Sequence, residues 1–98
     1  MKHRILISAL ALGLSALAFP ANAACYADYK AKKDNPLKLH YGVMKLPNSA
    51  CNSPKAAASA IAPRLAAAGW TLLNIVSLFD EGGLNGRKEN AGPYFLSF

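Results

Sequence analysis

From Ala24 to Lys33 apolar and polar residues alternate, with Ala27, Tyr29 and Ala31 on one side and Asp28, Lys30 and Lys32 on the other. A period of two predicts a half-buried strand, although Tyr26 and Tyr29, three apart, also suit a short helix. Asp34-Asn35-Pro36 signals a turn. Alternation resumes from Leu37 to Leu46, with Leu37, Leu39, Tyr41 and Val43 read as inward and Lys38, His40 and Gly42 as outward. The simplest expectation is a hairpin built around residues 33–36. The phase slips at Met44-Lys45-Leu46, which marks a bulge or the strand end.

The rhythm then changes. After a loop over residues 47–52, Ser53 reads as an N-cap with Pro54 in the first helical position, where a missing N–H is harmless. Ala58, Ile61, Leu65 and Ala68 recur at helical spacing as the expected buried stripe. Pro63 predicts a kink or a restart, and Gly69 is placed to turn the chain out of the helix. Trp70 to Phe79 is the most apolar stretch after the leader. It has Trp70, Leu72, Val76 and Leu78 on one face and Leu73, Ile75 and Phe79 on the other, which predicts a central strand covered on both sides. Gly82, Gly83 and Gly86 make residues 80–90 a connection with at most a short helix around 84–89. Tyr94 to Phe98 reads as a last strand.

These elements predict a single small α+β domain over residues 24–98, with a largely antiparallel sheet, one main helix and the order β-β-α-β-(short α)-β. One helix covers only one sheet face. The second apolar face of the 70–79 strand and the aromatic tail are left over, to be covered by the 84–89 segment and the N-terminal residues or by another subunit. That surplus points to a homo-oligomer.

Ahead of the domain, Lys2, His3 and Arg4 precede the apolar run Ile5–Phe19, and Ala21 and Ala23 form a small-x-small cleavage site. Residues 1–23 are thus expected to be a signal peptide. The run is shorter than the roughly 20 residues a span requires, so the mature form is not expected to cross a membrane. Lipidation at Cys25 is the rival, but polar Asn22 stands where an aliphatic residue is usual. A periplasmic or secreted location with two cysteines makes a Cys25–Cys51 disulfide the default. Closing a loop of about 27 residues stabilises a domain by roughly 3–4 kcal/mol. Losing Lys2 and Arg4 lowers the formal charge from +6 to +4. Lys30, Lys32, Lys33 and Lys38 cluster early, either as a solvated face or as a seat for an anionic partner. No basic helix or stacking platform suggests nucleic acid.

Leu65-Ala66-Ala67-Ala68-Gly69-Trp70-Thr71-Leu72-Leu73-Asn74-Ile75-Val76, followed at a distance by Tyr94-Phe95-Leu96, resembles the helix–Gly-Trp–strand core of small bacterial domains of unknown function. The stretch after the leader also resembles short secreted alphaproteobacterial proteins with no assigned function. The resemblance implies the same α+β fold and supplies no catalytic residue.

Candidate chemistry is sparse. His40 is the one histidine after the leader, expected on a polar strand face within reach of Asp28 or Tyr26 across the hairpin. Asp80, Glu81 and Glu89 could mimic a carboxylate pair, but they flank a Gly-rich connection and read as solvating it. Gly82-Gly83-x-x-Gly86 lacks phosphate-loop spacing, no serine has a nucleophile context, and no metal or other cofactor is implied. Trp70 reads as a core plug between helix and sheet, with ligand contact as the alternative. Asn74 interrupts an apolar face and suggests an interface or a small pocket, and Tyr94 and Phe98 complete the possible contact set.

Three functional classes remain. The first is a non-enzymatic interaction or accessory module, self-associating or docking on an envelope protein. The second is a small-ligand or polyanion binder using Trp70, Tyr94 and the lysines. The third is a minimal hydrolase built on His40, or an inhibitor presenting residues 45–51.

Overall fold

Strand β1 (Cys25–Lys33) lies at the centre of a three-stranded sheet in a computed structural model that describes residues 25–98. The expected leader and its cleavage site lie outside the described residues. Strand β2 (Lys38–Leu46) pairs antiparallel with β1 in unbroken register from Cys25–Leu46 to Lys33–Lys38, so residues 25–33 are strand rather than helix, and no bulge interrupts 44–46. The hairpin loop is residues 34–37, one step later than expected, with Asn35 at φ +61°.

That loop absorbs Leu37 and sets the phase of β2. His40, Gly42, Met44 and Leu46 come opposite Ala31, Tyr29, Ala27 and Cys25. They therefore share the sheet's first face, the one covered by the main helix. Both phases of β2 carry apolar residues, and the alternation that ends in Met44 and Leu46 prevails. Leu37 and Leu39, expected inside, are 64% and 66% exposed, while His40 and Gly42, expected outside, are buried.

Helix α1 (Pro54–Ala67) starts at Ser53, whose side chain accepts the Ala56 N–H at 3.0 Å. It runs through Pro63 without a restart. Its buried stripe is Ala57, Ile61 and Leu65, one residue off the expected phase at its start, while Ala68 is exposed at the C-cap. The exit is a Schellman turn: Trp70 N–H reaches Leu65 C=O at 2.9 Å and Gly69 N–H reaches Ala66 C=O at 3.0 Å. Gly69 stands at φ +86°, where a side chain would be strained. The turn drops Trp70 onto the core, where Ala27, Tyr29, Ala31, Met44 and Leu46 meet the α1 stripe. Ala27, Ala31 and Ala57 are small enough for helix and sheet to approach closely.

Strand β3 (Thr71–Phe79) pairs with β1 on the side away from β2 and is an edge strand, not the central one expected. Two bulges carry the surprise. The ladder pairs Tyr29 with Ile75 and Ala31 with Leu72, skipping Val76 and Leu73. Leu72, Ile75 and Leu78, three apart, thereby all face α1, which a strict period of two cannot achieve.

A 3-10 turn (Glu81–Gly83) and helix α2 (Asn85–Ala91) follow. Buried Ala91 and half-buried Leu84 pack with Tyr26, Val43, Phe79 and Phe95 against one end of the sheet's second face. The expected last strand is a 3-10 turn (Gly92–Tyr94) plus a single parallel bridge between Phe95 and Val43. Leu96, at φ +55°, ends the extended run, and Tyr94 and Phe98 turn to stack on His40 instead of pairing. The order is thus β-β-α-β-α, a small antiparallel α+β domain. Cys25 and Cys51 form a disulfide with Cα atoms 6.1 Å apart, tying the start of β1 to the residues ahead of α1. Among the described residues no helix is long and apolar enough to cross a membrane.

Candidate functional site

His40 sits on the first face, in a nest of rings. Tyr94 stacks on it at 3.7 Å between centroids and 9° between planes, Trp70 meets it edge-on at 4.3 Å, and Phe98 lies 5.9 Å away. Its Nε2 is 3.0 Å from the Tyr29 hydroxyl, while its Nδ1 is buried with no hydrogen-bond partner among the described residues. Burial, and secondarily the Lys33 charge, push the His40 pKa below its ordinary value. Burial also raises Tyr29 to about 12, with Tyr94 adding to the rise. The arrangement corrects the expected polar-face position. His40 is opposite Ala31, whereas Asp28 and Tyr26 alternate onto the other face, so no carboxylate orients the imidazole. It works as an aromatic clamp holding the C-terminal residues to the sheet.

Asp28 anchors the second face. Its carboxylate accepts Ser77 Oγ at 2.6 Å, Tyr41 Oη at 2.8 Å and Arg87 Nε at 3.0 Å. Arg87 also donates to Gly83 C=O at 2.8 Å and lies 4.0 Å over the Phe79 ring. Burial by itself would raise the Asp28 pKa. The hydrogen bonds from Ser77, Tyr41 and Arg87, together with the Arg87 charge, outweigh it and hold the group below the usual carboxylate value. Tyr41 is pushed up to about 12 by burial and by Asp28. Both carboxylate oxygens are engaged within the fold, so the cluster is a bolt between α2 and the sheet. Sequence reasoning missed it. The signals were one arginine in a glycine-rich connection, one serine interrupting the apolar β3 and one aspartate on the polar side of β1.

Of the residues singled out from the sequence, Trp70, Tyr94 and Phe98 gather around His40 with Lys33 beside them, and the others do not join them. Lys30 and Lys32 project from the second face, where Lys32 pairs with Asp34 at 3.3 Å. Lys33 and Lys38 are opposite each other on the first, with Lys33 Nζ 4.5 Å over the Trp70 ring. The early lysines are therefore split between two surfaces. Trp70 is 8% exposed and plugs the core. Asn74 is exposed opposite Lys30, and Tyr94 and Phe98 are half-buried in the histidine stack. In the 45–51 segment Leu46 and Ala50 are buried, and Arg64 donates to Lys45 C=O at 3.1 Å. Asp80 caps Gly82 N–H at 2.9 Å, Glu81 lies near the Tyr26 hydroxyl, and Glu89 is exposed. Among the described residues no group of three or more His, Cys, Asp or Glu side chains is placed to hold a metal ion.

What the fold leaves open lies along β3 and the uncovered end of the second face. No residue of β3 is buried, although it carries Leu72, Leu73, Ile75, Val76, Leu78 and Phe79 and no charge. The bulge residues Leu73 and Val76 are 49% and 47% exposed. Beside them a depression of about 300 Å³ is lined by Lys30, Ala31, Leu39, His40, Tyr41 and Leu73, with no acidic residue among them. No family model, no curated protein and no solved structure matches this chain.

Proposed function

We propose that the protein is an exported, non-enzymatic interaction module that works through strand β3 and the adjoining open end of the sheet. The observation that carries this reading is the inversion of burial within the sheet. The strand with three lysines is central, while the uncharged and most apolar strand is an edge with no buried residue. A long apolar edge left bare is a template for pairing, which proteins blunt with charge or proline unless it is used. Export is supported by the basic, apolar and small-residue succession over residues 2–23, and by a disulfide of the kind that persists in oxidising compartments.

The test is site-specific photocrosslinking in the cells that make the protein, with the crosslinker at Val76 and, as control, at Ser59 on the exposed side of α1. A discrete adduct from position 76 and none from position 59 is expected. No adduct from 76, or equal labelling from both, contradicts the reading.

A second reading, a binder of small anionic ligands or polyanions, rests on the depression beside Lys30. It requires affinity that falls steeply as salt rises, and a flat response to salt removes it.

A further inference from the structure

We infer that the occupant of the β3 edge is a second copy of this chain, paired antiparallel about a two-fold axis at Ile75 to give a closed six-stranded sheet. The inference rests on the reading of β3 as a docking edge and adds the identity of the partner.

The first support is register. In an antiparallel pair directly opposite residues share a face. With the axis at Ile75, each Leu72 stands opposite the other copy's Leu78, and the two Ile75 side chains meet. Leu72, Ile75 and Leu78 are the three β3 residues that face α1. The same register sets Thr71 opposite Phe79, and all four of these side chains lie on the second face. Bulges at Leu73 and Val76 give β3 this palindrome, since without them Leu72, Ile75 and Leu78 could not share one face.

The second support is charge. A net charge of about +4 on each copy, left after removal of the leader's Lys2 and Arg4 from +6, repels a second copy at long range. Yet β3 contains no charged residue, so two copies meet there without opposing like charges. A foreign acidic partner would find nothing on this strand to recognise.

The third support is closure. Once two β3 strands pair, the edges of the joined sheet are the two β2 strands. Each β2 edge is already blocked at mid-length, where Leu96 N–H donates to Val43 C=O at 2.9 Å and Phe95 bridges Val43. Each also carries Lys38 and Lys45. The assembly therefore stops at two copies and does not propagate as a fibre. In the dimer β3 becomes an interior strand, the position its apolar residues on both faces call for.

Sedimentation velocity of the purified, oxidised protein over a concentration series tests this, for wild type, Val76→Lys and Ser59→Lys, at about 0.05 M and about 0.5 M salt. The expected result is a concentration-dependent shift from one chain to two in wild type and Ser59→Lys, tightened by salt because screening removes the long-range repulsion. Val76→Lys is expected to weaken dimerisation at least tenfold, with its near-ultraviolet circular dichroism unchanged. A wild type that stays monomeric at every concentration and both salts overturns the inference, whatever the variant does. So does a folded Val76→Lys that dimerises as well as wild type. A monomer whose position 76 crosslinks to a different protein overturns self-pairing and leaves the docking edge standing. A monomer with no crosslink overturns both.

Discussion

Arg87 Nε donates to Asp28 Oδ2 across 3.0 Å, joining α2 to the central strand at a sequence separation of 59. The pair is unequal, since the Asp28 side chain is 5% exposed and that of Arg87 30%. Removing the buried partner leaves a guanidinium that can relax toward water. Asp28→Ala is therefore expected to destabilise the domain by about 2–3 kcal/mol, below the 3–5 kcal/mol typical of a fully buried pair. Urea unfolding measures it, and an effect under about 0.5 kcal/mol would mean the bolt is ornamental.

The same carboxylate sets an acid limit. Its folded pKa lies below the ordinary 3.8 because its hydrogen bonds and the Arg87 charge outweigh burial. The ionised form thus contributes stability that is complete above the unfolded value and is lost as pH falls through the folded one. Stability curves of wild type and Asp28→Asn should converge as pH drops below about 4. Parallel curves over that range contradict the assignment.

His40 acts in a different window. Its folded pKa is depressed from 6.5 by burial and by Lys33, so the unfolded chain takes up a proton before the folded one does. Stability is full above about 6.5 and declines as pH falls from there toward the folded pKa. His40→Phe should flatten that segment of the profile while keeping a ring for Tyr94 to stack on. A profile that keeps the same slope between about pH 5 and 7 in the variant would place the effect elsewhere.

Tyr29 and Gly42 are cross-strand partners, and the Tyr29 ring lies where a side chain at 42 would be: a Cβ there would come within 2.6 Å of Tyr29 Cζ and closer still to the hydroxyl. Gly42→Ala must displace a buried ring that also holds His40, and should lose about 1–3 kcal/mol. Gly86→Ala, whose new methyl would meet nothing within 4 Å, should be neutral to stabilising. Equal losses from the two substitutions would refute the packing argument.

Much of this fold was legible from the residues, and the failures share one cause. Ser53-Pro54 and Gly69 bracket α1 by local chemistry that no distant contact can override, and the alternation of β1 is clean because only one phase carries Ala27, Tyr29 and Ala31. In β2 both phases are apolar, so its direction was decided by a loop one residue longer than the turn signal showed, and His40 changed faces with it. In β3 two bulges mixed the phases, and a strand that reads as central stands at the edge. Tyr94 reads as strand but stacks on His40, because the gain came from a ring more than fifty residues away in sequence. The Asp28 cluster depends on contacts of similar range, which no local pattern announces.

Removing the covalent tie measures how much of the domain's stability the disulfide carries. Cys25→Ala with Cys51→Ala opens a loop of sequence separation 26 and should lower stability by about 3 kcal/mol. The β3 edge, at the opposite side of β1 from β2, should keep its behaviour in any fraction that remains folded. Calorimetry of the double variant against wild type reads the first effect, and unchanged unfolding would show the tie to be dispensable.

Hydrogen exchange along β3 reaches the central claim most directly. Amides of residues 71–79 that point away from β1 should exchange quickly in dilute protein and become protected as concentration rises, while the amides of β1 stay protected throughout. Protection across β3 that equals β1 in the dilute protein, or that does not change with concentration, would contradict an edge left bare for a second copy.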